Sequence, residues 1–133
     1  MQVCIYSFCK YITYSETKLS GFINVCNIKN DLIGGLRETF PGVSLFQAPE
    51  CFKEGFFSSY SADLWSLGVS LYFLVFGKPH ITLTPGIEIH EIVKDYSELP
   101  PMEGVSSELQ ELLSLMLSPD VGKRPCLHAI MVV

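Results

Sequence analysis

Few groups in this sequence are placed to do chemistry. The histidines His80, His90 and His128 have no spacing that would bring them onto one metal ion. The five cysteines, Cys4, Cys9, Cys26, Cys51 and Cys126, are odd in number and include no C-x-x-C pair. They fit neither a disulfide framework nor a zinc site, and they read as reduced thiols of a cytoplasmic protein. Gly34-Gly35 is the nearest approach to a glycine-rich phosphate loop and reads as an ordinary turn. What remains is three short strings in a fixed order: Ala48-Pro49-Glu50, Asp63-Leu64-Trp65-Ser66-Leu67-Gly68 and Lys123-Arg124-Pro125. Each is common alone. Their order and spacing are not.

Composition limits the partners. A chain of 133 residues has room for one domain with a real core. With 48% hydrophobic and 17% charged residues it is not a disordered chain. A net charge of -5 argues against nucleic acid or an anionic membrane as the main partner, because both select for basic surface. No signal peptide is expected: the apolar run Val3-Cys4-Ile5-Tyr6 has no basic region before it and is too short. The other apolar run, Leu64 to Phe76, falls short of the ~20 residues a membrane span needs. An all-round apolar helix of that length belongs in the middle of a soluble domain.

The elements that must position these strings read as helices. For the apolar run, Ser59 and Ser61 are candidate N-caps, with Asp63 in the first turn complementing the helix dipole. Gly77 and Pro79 end it. A second helix is expected over Ile87 to Lys94, capped at Thr84 with Pro85 at its first position. Ser107-Glu108-Leu109-Gln110 matches a capping box, and Leu109, Leu112, Leu113 and Met116 form one apolar stripe behind it. Ser118-Pro119-Asp120 breaks that helix, and Pro125 can start another that runs to Val133. From Pro49 onward no strand of useful length is expected.

This order of strings and helices resembles the back half of the large lobe of a protein kinase, of the Ser/Thr type. Ala48-Pro49-Glu50 looks like the A-P-E that closes the kinase activation segment. The Asp63–Gly68 string, with Trp65, looks like the start of the lobe's central helix, and Arg124 like the arginine before its last helix. The resemblance implies that Glu50 and Arg124 form a buried ion pair tying the activation segment to the base of the lobe. A planar, always-charged guanidinium suits that role. It also implies that Asp63 accepts hydrogen bonds from backbone amides of the catalytic loop. The second helix, with Ile87, Ile89 and Ile92, is one that in this family often contacts substrates and regulators, and it is the expected surface for a protein partner.

Upstream, the match decays. The segment from Gly42 to Glu50 is similar to the family's G-T-x-x-[FY]-x-A-P-E, but Val43 replaces the threonine. In one register Asn27-Ile28-Lys29 stands where D-F-G belongs, after an alternating extended stretch at Phe22 to Val25, and Asn27 then occupies the place of the magnesium-binding aspartate. A second register uses Asp31-Leu32-Ile33, which keeps an aspartate and loses the glycine. Carrying the first register back sets Phe8 near the catalytic aspartate's position and Thr13 near the metal-binding asparagine's. Independently of register, none of Asp31, Asp63, Asp95 and Asp120 follows His-Arg or precedes Phe-Gly. There is no G-x-G-x-x-G loop and no V-A-I-K lysine in this sequence either. Phosphoryl transfer needs positioned Mg²⁺, a phosphate-clamping lysine and an aspartate orienting the hydroxyl. Thr39 and Ser44, where the family carries activating phosphates, read as solvated loop hydroxyls.

The expected fold is therefore mainly α: a partial kinase-like C-lobe with a buried central helix and a short irregular or extended N-terminal segment. Residues 1–41 are expected to form a degenerate catalytic-loop and activation-segment region, and 42–133 the helical lobe, truncated in its last helix. The expected function is a protein-interaction module of pseudokinase type, without catalytic residues, metal or cofactor. The alternative is part of an active Ser/Thr kinase, with Mg-ATP bound only if the missing segments exist in a longer product. A protein partner is expected, and neither nucleic acid nor membrane.

Overall fold

A computed structural model of the chain describes the backbone over residues 44–131 and side chains over 45–131, together with the backbone of five short strands upstream. Those strands are β1 (Val3–Ile5), β2 (Ile12–Thr13), β3 (Glu16–Thr17), β4 (Val25–Asn27) and β5 (Leu36–Arg37). β1 pairs antiparallel with β4, setting Val3 opposite Asn27, and β2 pairs with β3. β5 pairs with β6 (Phe57–Ser58), a two-residue strand just before the central helix. Downstream the chain is helical: 3₁₀ turns at Ser44–Phe46 and Pro49–Phe52, then α1 (Ser59–Phe76), α2 (Ile89–Lys94), α3 (Ser107–Met116), a 3₁₀ turn at Val121–Lys123, and α4 (Leu127–Met131).

The helix α1 is the axis of the lobe. Ala62, Trp65, Val69 and Tyr72 recur at the three- and four-residue spacing of one helix face, and all are fully buried. They join Ala48 and Phe57 on one side and Leu113 and Leu117 on the other in a single core. Ser66 and Ser70 are buried on the same helix without penalty, because their hydroxyls donate back to the carbonyls of Ala62 (3.1 Å) and Ser66 (2.9 Å). Gly68 is where α3 crosses. A Cβ there would lie 2.9 Å from Met116 Cβ and 3.1 Å from Leu117 Cδ2, so only glycine permits the approach. Leu74 and Val75 face solvent near the end of the helix, while Leu67 and Leu71 are half-buried.

Three helix starts differ from the sequence-based expectation. The N-cap of α1 is Ser58, whose hydroxyl accepts from Ser61 N–H, rather than Ser59 or Ser61; β6 runs directly into the helix and fixes its start. Asp63 consequently falls beyond the first turn of the helix. α2 begins at Ile89 with Glu88 as its cap, because Thr84–Ile87 closes a separate turn (Ile87 N–H to Thr84 O, 3.2 Å) that needs Gly86 at φ +82°. In α3 the cap is Ser106, which accepts from Leu109 N–H at 3.3 Å, and Gln110 donates to Val105 O instead of closing a capping box. Gly77 ends α1 in the left-handed conformation at φ +68°, as its type suggests. Among the described residues no helix is long and apolar enough to cross a membrane.

Candidate functional site

Glu50 and Arg124 stand far apart in sequence and meet at the base of the lobe. Glu50 sits in the 3₁₀ turn Pro49–Phe52, which follows the fully buried Ala48 and opens with the buried Pro49. Arg124 leaves the 3₁₀ turn Val121–Lys123, which Asp120 caps by accepting from Gly122 N–H at 3.0 Å. The guanidinium grips the carboxylate with both ends: Nη1 donates to Oε1 at 2.5 Å and Nη2 to Oε2 at 2.8 Å. This is the bidentate fork that makes arginine, and not lysine, the residue for the position.

The remaining donors of the fork are also used. Arg124 Nε donates to the carbonyl of Ser118 at 2.9 Å, and Nη1 donates also to Ser61 O at 3.1 Å. Its plane lies over the Trp65 ring, 4.9 Å from the centroid. The arginine side chain has no exposed surface and the glutamate side chain 14%. One side chain therefore joins the Pro49–Phe52 turn, the first turn of α1, the end of α3 and the run into α4. The hydroxyl of Ser66 reinforces the same seam by donating to Phe46 O at 2.8 Å.

Cys51 sits half-buried beside this pair. Burial pushes its thiol up to about 12, with Glu50 and Asp63 adding to the rise and Arg124 opposing it. It is a packed thiol and not a nucleophile. Asp63 is half-buried on α1, close enough to act on Cys51; the catalytic-loop amides that the resemblance assigns to it lie outside the described residues. Gly42 and Val43 also lie outside them, as do Asp31 and Thr39. Asn27 ends β4, and its side chain is not among those described.

A second cluster surrounds His80. The imidazole is buried, with Trp65 at 5.5 Å, Tyr96 at 5.5 Å and Tyr72 at 6.4 Å between ring centroids, all edge-on. Both its ring nitrogens, Trp65 Nε1 and the Tyr72 hydroxyl are buried without a hydrogen-bond partner among the described residues. Desolvation lowers the imidazole to about 4, so it packs as a neutral aromatic. Sequence reasoning missed this role, since a lone histidine between Pro79 and Ile81 carries no periodic signal. It likewise missed the carbonyls that Arg124 binds besides Glu50. Among the described residues no group of His, Cys, Asp and Glu could hold a metal ion.

A long buried helix, an Ala-Pro-Glu turn and an arginine clamped onto it from the far end of the chain define a helical lobe of the kind that supports a kinase activation segment. Residues 13–132 match the protein kinase domain family, and the chain belongs to that family. It is 36% identical over 93 residues to the serine/threonine-protein kinase par-4 of Caenorhabditis elegans, covering 67% of this chain and 15% of that protein. It is 36% identical over 95 residues to the calcium/calmodulin-dependent protein kinase kinase of the same organism, covering 68% of this chain and 18% of that protein. It is 31% identical over 90 residues to the inactive serine/threonine-protein kinase PLK5 of Mus musculus, covering 68% of this chain and 15% of that protein. The chain thus spans less than a fifth of the length of these relatives.

Proposed function

We propose that this part of the kinase fold works by binding protein and not by transferring phosphate. The observation that carries the reading is a contrast inside the chain. Among the described residues the anchor of the activation segment is present, with Arg124 making four hydrogen bonds and lying over the Trp65 ring. The residues that would do chemistry are replaced: Asn27 stands for the metal-binding carboxylate in the register used here, and Val43 for the threonine of the activation segment. A neutral amide oxygen is a poor ligand for a hard dication beside triphosphate. A folded lobe without those reactive groups still offers its surface to a partner. That one relative is named an inactive kinase is in keeping with this reading.

The test is a thermal-shift titration of the chain with millimolar Mg-ATP. No saturable change in Tm is expected. A saturable rise would overturn the reading, because a ligand selective for the folded state must stabilise it. A second reading, part of an active Ser/Thr kinase with Mg-ATP as cofactor, is favoured by the names of the other relatives. It predicts an open frame upstream of Met1 that encodes a glycine loop and H-R-D, which sequencing the transcript decides.

A further inference from the structure

The strap between α1 and α2 is the longest exposed run among the described residues, open to solvent at every position from Thr82 to Glu88. The buried His80 and Ile81 anchor its start, and α2 takes over at Ile89. Within it Thr84-Pro85-Gly86-Ile87 forms a turn, closed by Ile87 N–H donating to Thr84 O at 3.2 Å, with Gly86 at φ +82°. Proline second and glycine third at positive φ mark a type II turn, whose second residue is extended, with ψ of about +120°. Thr84 is held extended as well, because the proline ring bars the helical region to the residue before it. Thr84 and Pro85 therefore lie as an extended dipeptide on the surface, and the chain bends away only at Gly86. The Thr84 hydroxyl makes no hydrogen bond among the described residues.

The sequence holds one other hydroxyl residue followed by proline, Ser118-Pro119, and the fold treats it differently. Ser118 is half-buried; its N–H donates to Leu115 O at 3.3 Å and its carbonyl accepts from Arg124 Nε at 2.9 Å, so both backbone groups are taken at the end of α3. An enzyme that must lay its substrate out in one reactive geometry can reach Thr84 and not Ser118. Charge offers no other handle: no basic residue stands within three positions of Thr84 on either side, and the nearest carboxylate is Glu88. The proline ring is the distinctive group beside the hydroxyl. We propose that Thr84 is a phosphate-acceptor site for an ATP-dependent protein kinase that selects proline directly after the acceptor. Thr84 Oγ1 attacks the γ-phosphorus of ATP; the Oγ1–P bond forms as the bond to the ADP oxygen breaks, and the hydroxyl proton passes to the modifying enzyme's aspartate. The product gains a charge of about −1.5 to −2 at neutral pH on a chain already at -5. The assignment stands apart from the protein-binding reading above, since a surface strap accepts phosphate whether or not the lobe transfers it.

The experiment is to incubate the folded chain with Mg-ATP and a purified cyclin-dependent or mitogen-activated kinase, both of which read proline. A parallel sample receives cAMP-dependent protein kinase, which reads basic residues, and phosphate is mapped by mass spectrometry. At least one proline-reading enzyme should carry Thr84 toward full occupancy, shift the band on native electrophoresis and leave Ser118 unmodified. The basophilic enzyme should leave Thr84 unmodified. Pro85→Ala, at an exposed position and with folding checked by circular dichroism, should slow labelling of Thr84 about tenfold or more. Thr84 left unmodified by both proline-reading enzymes overturns the proposal. Labelling at an unchanged rate in Pro85→Ala, or by the basophilic enzyme, overturns it too, because proline would then not be what is read. Ser118 labelled as fast as Thr84 in a folded chain shows that the fold does not select the strap, and overturns the proposal with it.

Discussion

Removing either end of the Glu50–Arg124 pair leaves the other end in a place built for its partner, and the two losses should differ. In Glu50→Ala the guanidinium stays buried with no exposed surface, holding only the carbonyls of Ser61 and Ser118 and the Trp65 face. A buried charge stripped of its counter-ion typically costs about 3–5 kcal/mol. In Arg124→Ala the carboxylate keeps 14% of its side-chain surface, so water relieves part of its loss. That variant, however, also frees two carbonyls and uncovers Trp65, each worth about 1 kcal/mol. Both single variants should therefore lose on the order of 3–5 kcal/mol, a large part of the roughly 5–15 kcal/mol that holds a domain together. The double variant removes both stranded charges and should fall short of the sum by about 2 kcal/mol or more. Urea unfolding followed by tryptophan fluorescence suits the assay, because Trp65 is the sole tryptophan and lies against the arginine. Lys94→Ala, at an exposed site, should change stability by no more than about 0.5 kcal/mol. Small additive losses at positions 50 and 124, each under about 1 kcal/mol, would refute the reasoning, because that is how exposed charges behave.

Gly68→Ala should cost about 1–3 kcal/mol in the same assay by pushing α3 away from α1; a loss within about 0.5 kcal/mol would show that the crossing relaxes freely. His80 makes the fold acid-sensitive. Its folded-state value of about 4 lies below the ordinary 6.5, so its contribution is fully present above about pH 6.5 and is lost as pH falls toward 4, on the order of 3 kcal/mol in all. His80→Phe should flatten the stability profile across that window while leaving the dependence outside it; an unchanged profile would mean that the imidazole is not buried neutral. Iodoacetamide at pH 8, read by peptide mapping, should alkylate the exposed Cys126 well before Cys51; equal rates would contradict the packed thiol.

What could be read from the sequence divides by the physical range of the signal. The central helix was legible because its determinants are local: an unbroken apolar run closed by Gly77, which alone among its neighbours takes a positive φ without strain. Glu50 and Arg124 could be paired only through resemblance, since no local pattern links residues so distant; the structure supplies the contact and adds Ser61, Ser118 and Trp65 to it. The helix starts slipped, by one residue to as many as four, wherever several serines or a Thr-Pro offered rival caps, because the choice between Ser58 and Ser59, Ser106 and Ser107, or Thr84 and Glu88 depends on the strand or loop that delivers the chain. His80 was invisible for the opposite reason. It is buried against Trp65, Tyr72 and Tyr96, which converge from α1 and from beyond α2.

The same division bears on function. Trp65 touches both clusters: its ring carries Arg124 on one side of the lobe's base and meets His80 and Tyr96 edge-on, the latter at 5.2 Å. Tyr96 in turn lines a cleft beside α2 together with Ile81 and Ile92. A continuous set of packed side chains therefore runs from the Glu50–Arg124 pair to Tyr96. Packed cores resist small displacements as a unit. Loss of the Glu50–Arg124 pair should then disturb the Trp65, His80 and Tyr96 contacts as well, read as shifts of the His80 ring protons in a variant that remains folded; unshifted ring protons would show that the two clusters are independent. The pair thus ties the Pro49–Phe52 turn to the ring cluster at the centre of the lobe, whatever chemistry the rest of the protein performs.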